Sequence, residues 1–382
     1  MHTRNQDTAT LHRPSLGQGR LPFLDQFRGF ALLGLPFVNV LALWLIATPE
    51  TAADFWLQRG LNFFVEARFY TIFTFLFGLG FYMFLSRSAE AGGKPKLWLY
   101  IRRLVILLLI GFIHQQYQSG EALFHYTIVG LLLLPLYWAP RKINLGIGAV
   151  GFTVAALMGI KLLTIPFLIL LGLTAGQYRL HEAISNGVRL SKLRVVWLLS
   201  LLGTVIAIGA MWVTAPPEPM PPFLFTVEGE SPSPTMDAAF TLAHIGVATG
   251  PIVSLFYLSS LLMLGHTRIG AKVLHPLQAY GRMALTNYIG QTVFLVGIQR
   301  LILNGSPSTY VVSTIVSLGI VVFQIIISNL WMRWLQYGPL EWLWRCGTYW
   351  TLVPIRKKKQ ETRRPEAYRS PVFSCRCRPV IM

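Results

Sequence analysis

Three sets of polar side chains have the residue types and spacing that chemistry requires. Asp25 and Arg28 stand three apart, on one face of any helix that holds them. Such a pair either anchors a helix end or offers its guanidinium to an anionic ligand. Arg102, Arg103 and Arg282 fall in comparable places beside apolar runs, and Glu341 precedes Arg345 by four residues, the favourable order for a helical ion pair. The second set comprises Glu66, Arg68, His114, Glu121 and His125. Glu121 and His125 are again four apart, and a carboxylate beside an imidazole either relays protons near neutral pH or caps a short loop. The third set is made of amides: Asn287 and Gln291, with Gln324, Asn329 and His244 in neighbouring runs. Amides in apolar helices ordinarily bind helices to one another.

No third ligand joins these acids and histidines at metal-binding spacing, so no metal is expected. No Gly-x-Ser-x-Gly elbow, Walker loop or His-Glu-x-x-His motif is present, and the Gly-Leu-Gly at 78–80 lacks the rest of a dinucleotide fingerprint. No resident cofactor is expected either.

The elements that must position these groups are apolar helices. The chain has 382 residues, 53% hydrophobic and 13% charged, with mean hydropathy +0.52. A soluble domain carries roughly 25% charged residues. Lipid is therefore the matching solvent, and the long apolar runs without two-residue alternation select helices over a barrel. The fold class is all-α, a polytopic integral membrane protein with the lipid bilayer as its first partner. Windows of about 20 apolar residues predict about ten spans, at 27–46, 61–85, 100–117, 122–138, 143–160, 162–178, 195–213, 238–264, 283–303 and 311–335. The division at Lys161 is the narrowest. The first run exceeds the core of a signal peptide, which is about 7–15 residues, and reads as an uncleaved helix.

Net charge +18 would suggest nucleic acid in a soluble chain, but here the cations gather between spans, which excludes that class. Arg87, Lys94, Lys96, Arg102 and Arg103 follow the second run; Arg141 and Lys142 the fourth; Arg179, Arg189, Lys192 and Arg194 the sixth; Arg268, Lys272 and Arg282 the eighth. The alternate connections hold Glu50, Asp54, Glu121, Glu228, Glu230 and Asp237. With an even number of spans, both termini fall in the cytoplasm. The expected organisation is a polar cytoplasmic leader (1–20), one helical domain (21–354) with an external proline-rich loop (214–236), and a basic disordered tail (355–382) that carries Cys375 and Cys377. Nothing in the sequence sets the oligomeric state.

Four segments carry a resemblance: FLDQFRGFALLG (23–34), RFYTIFTFLFGLG (68–80), AYGRMALTNYIGQ (279–291) and GPLEWLWR (338–345). Their order and spacing resemble the YeiB-like family of bacterial inner-membrane proteins, which carry a domain of unknown function. The resemblance implies an inner-membrane location and a distant kinship, through the opening Leu-Asp-x-x-Arg-Gly, with glucosaminide acetyltransferases and sugar O-acyltransferases. GEALFH (120–125) departs from the acidic Asp followed by Ile-Leu that the family more often shows. In the O-acyltransferases a histidine follows the first-helix arginine after ten residues; that place is Asn39. An amide takes up no proton near pH 7 and cannot be a general base. The connection 47–60, where the acetyltransferases keep a histidine, has none.

Two functions follow, beside a third reading in which the protein is a scaffold or stress-associated membrane partner without a substrate. The first is transport of a small anionic or acylated solute, with Asp25, Arg28, Asn39, Glu66, Arg68, Arg282, Asn287, Gln291, Glu341 and Arg345 as substrate-binding residues. The second is acyl transfer from cytoplasmic acyl-CoA to an external acceptor, with His114, Glu121 or His125 supplying the base.

Overall fold

The computed structural model describes residues 21–90, 96–222 and 233–357. The leader, most of the proline-rich segment and the tail with Cys375 and Cys377 lie outside them, as does Lys94. Within them the chain is all-helical: α1 (Pro22–Leu43), α2 (Ala52–Phe64), α3 (Phe69–Glu90), α4 (Leu97–Gln115), α5 (Leu123–Leu132), α6 (Arg141–Leu157), α7 (Lys161–Gln177), α8 (Leu180–Ser185), α9 (Leu190–Thr214), α10 (Pro234–Gly265), α11 (Arg268–Arg282), α12 (Ala284–Leu301), α13 (Tyr310–Trp334) and α14 (Pro339–Tyr349). Six segments are long and apolar enough to cross a membrane: Pro22–Leu43, Ala52–Ser88, Leu97–Gln115, Leu190–Thr214, Pro234–Gly265 and Tyr310–Trp334. Leu123–Leu132 and Lys161–Gln177 are apolar but shorter.

α1 is the central element, packed on α3, α11, α12 and α13. Its closest neighbour is α11, because Gly29 faces the backbone at Leu277 and Gly281 faces the backbone at Asp25, so that a Cβ on either would overlap a main-chain carbonyl. A second pair, Gly78 against Ile169 and Gly172 against Phe75, draws α3 and α7 together in the same way. Without water to drive association, such close backbone approach supplies the packing that holds apolar helices together.

The structure corrects three sequence expectations. The run predicted as one span at 61–85 breaks at 65–68, where Ala67 takes a left-handed conformation (φ 63°). No proline or glycine announces the break. Two α10 hydroxyls satisfy the interrupted backbone from outside, Tyr257 donating to the Phe64 carbonyl at 3.0 Å and Ser254 to that of Arg68 at 2.9 Å; within the break Arg68 Nη1 donates to the Glu66 carbonyl at 2.7 Å and reaches across to that of Gly246 on α10 at 3.2 Å. Second, the supposed loop 47–60 holds most of α2, an amphipathic helix with its polar face turned inward. Asp54 accepts from the Val311 amide at 2.9 Å and so caps α13, while Gln58 donates to the Met220 carbonyl and the Tyr310 hydroxyl. Third, the basic connection after the eighth run is α11, whose Leu274, Tyr280 and Gly281 are buried.

Candidate buried relay and basic cluster

The three polar sets resolve into three separate structures. The first is a hydrogen-bonded chain between α4, α5 and α12. His114, in the last turn of α4, places Nδ1 3.0 Å from Glu121 Oε1 and Nε2 2.9 Å from Thr292 Oγ1. Its Tyr288 neighbour meets the imidazole edge-on at 5.1 Å. With the Nδ1 proton on the carboxylate side, Nε2 accepts from the Thr292 hydroxyl. Glu121 also receives the Leu123 amide at 2.6 Å, which fixes the carboxylate at the start of α5. All three side chains are enclosed: His114 is 5% exposed, and Glu121 and Thr292 are 2% each. Glu121 therefore pairs with His114 rather than with His125. It lies before α5 begins, so the two do not share a helix face, and His125 instead donates from Nδ1 to the Glu121 backbone carbonyl at 2.8 Å. Thr292 was not singled out in the sequence; the signal that would have found it is Tyr288, four residues earlier on the same face of α12.

The second structure gathers basic groups from α1, α4 and α14, of which α4 and α14 pack on each other. Asp25 and Arg28 pair at 3.6 Å. Arg28 reaches across α3 to Gly80, where a side chain would come within 3.4 Å of its Nη2. Arg103 lies in electrostatic range of both Arg28 and Arg345, and its guanidinium stacks 3.7 Å over the Trp344 ring. Arg345 stacks over Tyr337 at 4.5 Å. Among the described residues no ion pair joins Glu341 to Arg345, contrary to their spacing. Glu341 turns the other way and accepts from the amides of Leu285 and Thr286 at 2.6 and 3.1 Å and from the Thr286 hydroxyl at 2.6 Å. It caps α12 from another helix, supplying the acceptor that the first turn lacks. Arg282 donates to the Gln336 carbonyl at 3.0 Å, tying α11 to the turn before α14.

The third structure is the amide set, and it binds helices. Asn287 donates to the Tyr280 carbonyl and to Ser328, Gln324 to the Asn287 carbonyl, and Gln291 to the Leu32 carbonyl and the Tyr280 hydroxyl, which links α1, α11, α12 and α13. His244 stands apart, exposed on α10 against Gly159. Glu66 pairs with Lys161 at 2.6 Å, while Arg68 is wholly buried at the break between α2 and α3. Asn39 is half-buried on α1, its Nδ2 without a hydrogen-bond partner among the described residues.

An all-helical chain with several membrane-length apolar helices and ionisable groups between them is a multi-pass membrane protein. Residues 186–351 match a family model described as protein of unknown function (DUF418). An uncharacterised 39.9 kDa protein from the amylase 3′ region of Bacillus acidopullulyticus is 40% identical over 342 residues, spanning 89% of this chain and 97% of the relative. Uncharacterised YxaH of Bacillus subtilis is 28% identical across 91% of the chain and 98% of the relative. Uncharacterised YeiB of Escherichia coli is 26% identical across 88% and 98%. The chain belongs to the YeiB-like family.

Proposed function

We propose that the protein moves a small anionic or acylated solute across the bacterial inner membrane in step with protons. The observation that carries this reading is the Glu121–His114–Thr292 chain: a carboxylate, an imidazole and a hydroxyl in hydrogen-bond contact, enclosed by apolar helices. Ionisable groups are costly at membrane depth and mark ion or substrate pathways. In this proposal the chain spans the membrane about ten times with both termini in the cytoplasm, which puts the arginines around Arg28 at the cytoplasmic face and Glu121 nearer the external one. Arg28 and Arg282 then lie near a cytoplasmic gate, with Arg345 beside them to hold the anion. Glu341 latches α12 to α14 at that gate. The break at Ala67 supports the same reading, since transporters place interrupted helices at their pathways.

Uptake into proteoliposomes from a panel of radiolabelled carboxylates and phosphate-bearing solutes, with and without an imposed proton gradient, tests it. At least one solute should accumulate with the gradient, and Arg28→Ala should abolish the accumulation. Gradient-independent signals alone, or an Arg28→Ala variant that is as active as wild type, would sink the proposal.

Acyl transfer is the second reading, favoured by the order carboxylate, imidazole, hydroxyl, which orients and activates a nucleophile in hydrolases. Here an acceptor hydroxyl would give its proton to His114 Nε2 as its oxygen bonds the acyl carbon. The thioester C–S bond breaks, and the departing CoA thiolate takes up the proton that His114 received. Saturable binding of acetyl-CoA to the purified protein would favour this reading, and no binding at high micromolar concentration would remove it.

A further inference from the structure

Arg102 is one turn from the α4 start and takes no part in the relay. Its guanidinium carbon lies 5.8 Å from the Trp98 ring centroid and 5.2 Å from that of Trp350, so the cation is held between two indoles. Nη1 donates to the Thr348 carbonyl at 3.2 Å, and among the described residues no carboxylate pairs with it. Both indoles are open to the surroundings, Trp98 at 66% and Trp350 at 78% exposed. Trp350 is held there by a left-handed backbone (φ 55°) that bulky residues rarely adopt. Together with Ile101 and Val105 these residues line an open cavity of about 350 Å³.

The charge here is unbalanced by construction. The first turn of α4 contains no acidic residue, yet its helix dipole already favours an anion, and Arg102 adds a cation that lines the cavity. From this positive mouth an apolar track runs down α4 through Val105, Leu109, Phe112 and Ile113, each at least 41% exposed. Arg102 to Ile113 spans about 16 Å at 1.5 Å per residue, the reach of a lipid tail rather than of a soluble anion. A cation at the head, paired aromatics at the interface and an apolar track below are the features that recognise a headgroup and its chain.

We propose that the α4–α14 cavity is a binding site for an anionic phospholipid, with the phosphate on Arg102 and an acyl chain along α4. This rests on α4 lying in the membrane and not on the transport reading. A second, zwitterionic lipid provides the contrast, because it fits the track equally but brings no net negative charge to Arg102.

The test reconstitutes the full chain in nanodiscs that contain either dibrominated phosphatidylglycerol or dibrominated phosphatidylcholine at equal mole fraction, and measures quenching of tryptophan fluorescence. The Trp98→Phe/Trp350→Phe double variant identifies the part of the signal that comes from these two indoles. One juxtamembrane cation is worth about a fivefold preference, so phosphatidylglycerol should saturate that part at about one fifth the mole fraction that phosphatidylcholine needs. Arg102→Gln should bring the two lipids together, and free phosphate should not compete. Equal quenching by the two lipids in the wild-type protein, which requires no variant, would overturn the proposal. So would an unchanged preference in Arg102→Gln, or competition by free phosphate.

Discussion

At the scale of single residues the side chains separate into those that hold the fold and those that are free to act. Glu341 belongs to the first kind despite its charge. It serves three donors on α12, and leaving buried donors unmet costs about 1–3 kcal/mol. Glu341→Ala should lower the thermal midpoint in detergent accordingly, whereas Glu341→Gln, which keeps an acceptor for both amides, should cost less than half as much. Burial pushes the Glu341 carboxyl above its ordinary value, with the Thr286 hydroxyl and the amides pulling back. The folded protein thus binds this proton more readily than the unfolded chain. The contribution is complete below the ordinary glutamate range and fades as pH rises through the folded value, so Glu341→Gln should flatten that part of a stability-versus-pH curve. His114 and Glu121 belong to the second kind. The sequence groups them around one connection without pairing them; a four-residue rule pairs Glu121 with His125, and only the turn between the helices redirects it to His114.

At the scale of elements, hydropathy made the apolar helices legible, because lipid demands continuous apolar surface and the runs state it directly. It could not reveal α11 or the break before α3. α11 mixes Arg268, Lys272 and Arg282 with a face that fits α1, so its average polarity resembles that of a loop. The break depends on donors from α10, 186 and 193 residues away in sequence. Two contrasts test these elements. Gly281→Ala would drive a methyl into the Asp25 backbone and should destabilise by about 3 kcal/mol, while Gly297→Ala, where nothing lies within 4 Å, should be neutral or gain up to about 1 kcal/mol of helix propensity. Ala67→Val forces a β-branched residue into the left-handed region and should cost at least about 2 kcal/mol. Ala67→Gly should stay within about 1 kcal/mol of wild type, as relieved strain offsets the lost methyl. Thermal unfolding followed by size exclusion distinguishes the members of each pair.

At the scale of the whole molecule, two polar systems occupy different parts of one bundle: an enclosed carboxylate–imidazole–hydroxyl chain on α4, α5 and α12, and a set of basic side chains from α1, α4 and α14. α4 and α12 reach both, since α4 carries Arg103 near its start and His114 near its end, and α12 begins at the Glu341 cap and bears Thr292 midway along. Coupling between an anion and a proton needs such shared rigid elements with two arrangements. The family was legible from four short segments, but none of them contains His114 or Glu121, so resemblance and chemistry point to different residues. The direct measurement is proton flux into pyranine-loaded proteoliposomes on addition of each solute of the panel. Wild-type protein should acidify the lumen with at least one anionic solute, and Glu121→Gln should slow that acidification by about 100-fold, as removal of a positioned proton-transfer group does, while leaving the folded bundle intact by circular dichroism. Solute entry without proton movement, or undiminished acidification in Glu121→Gln, would contradict the account.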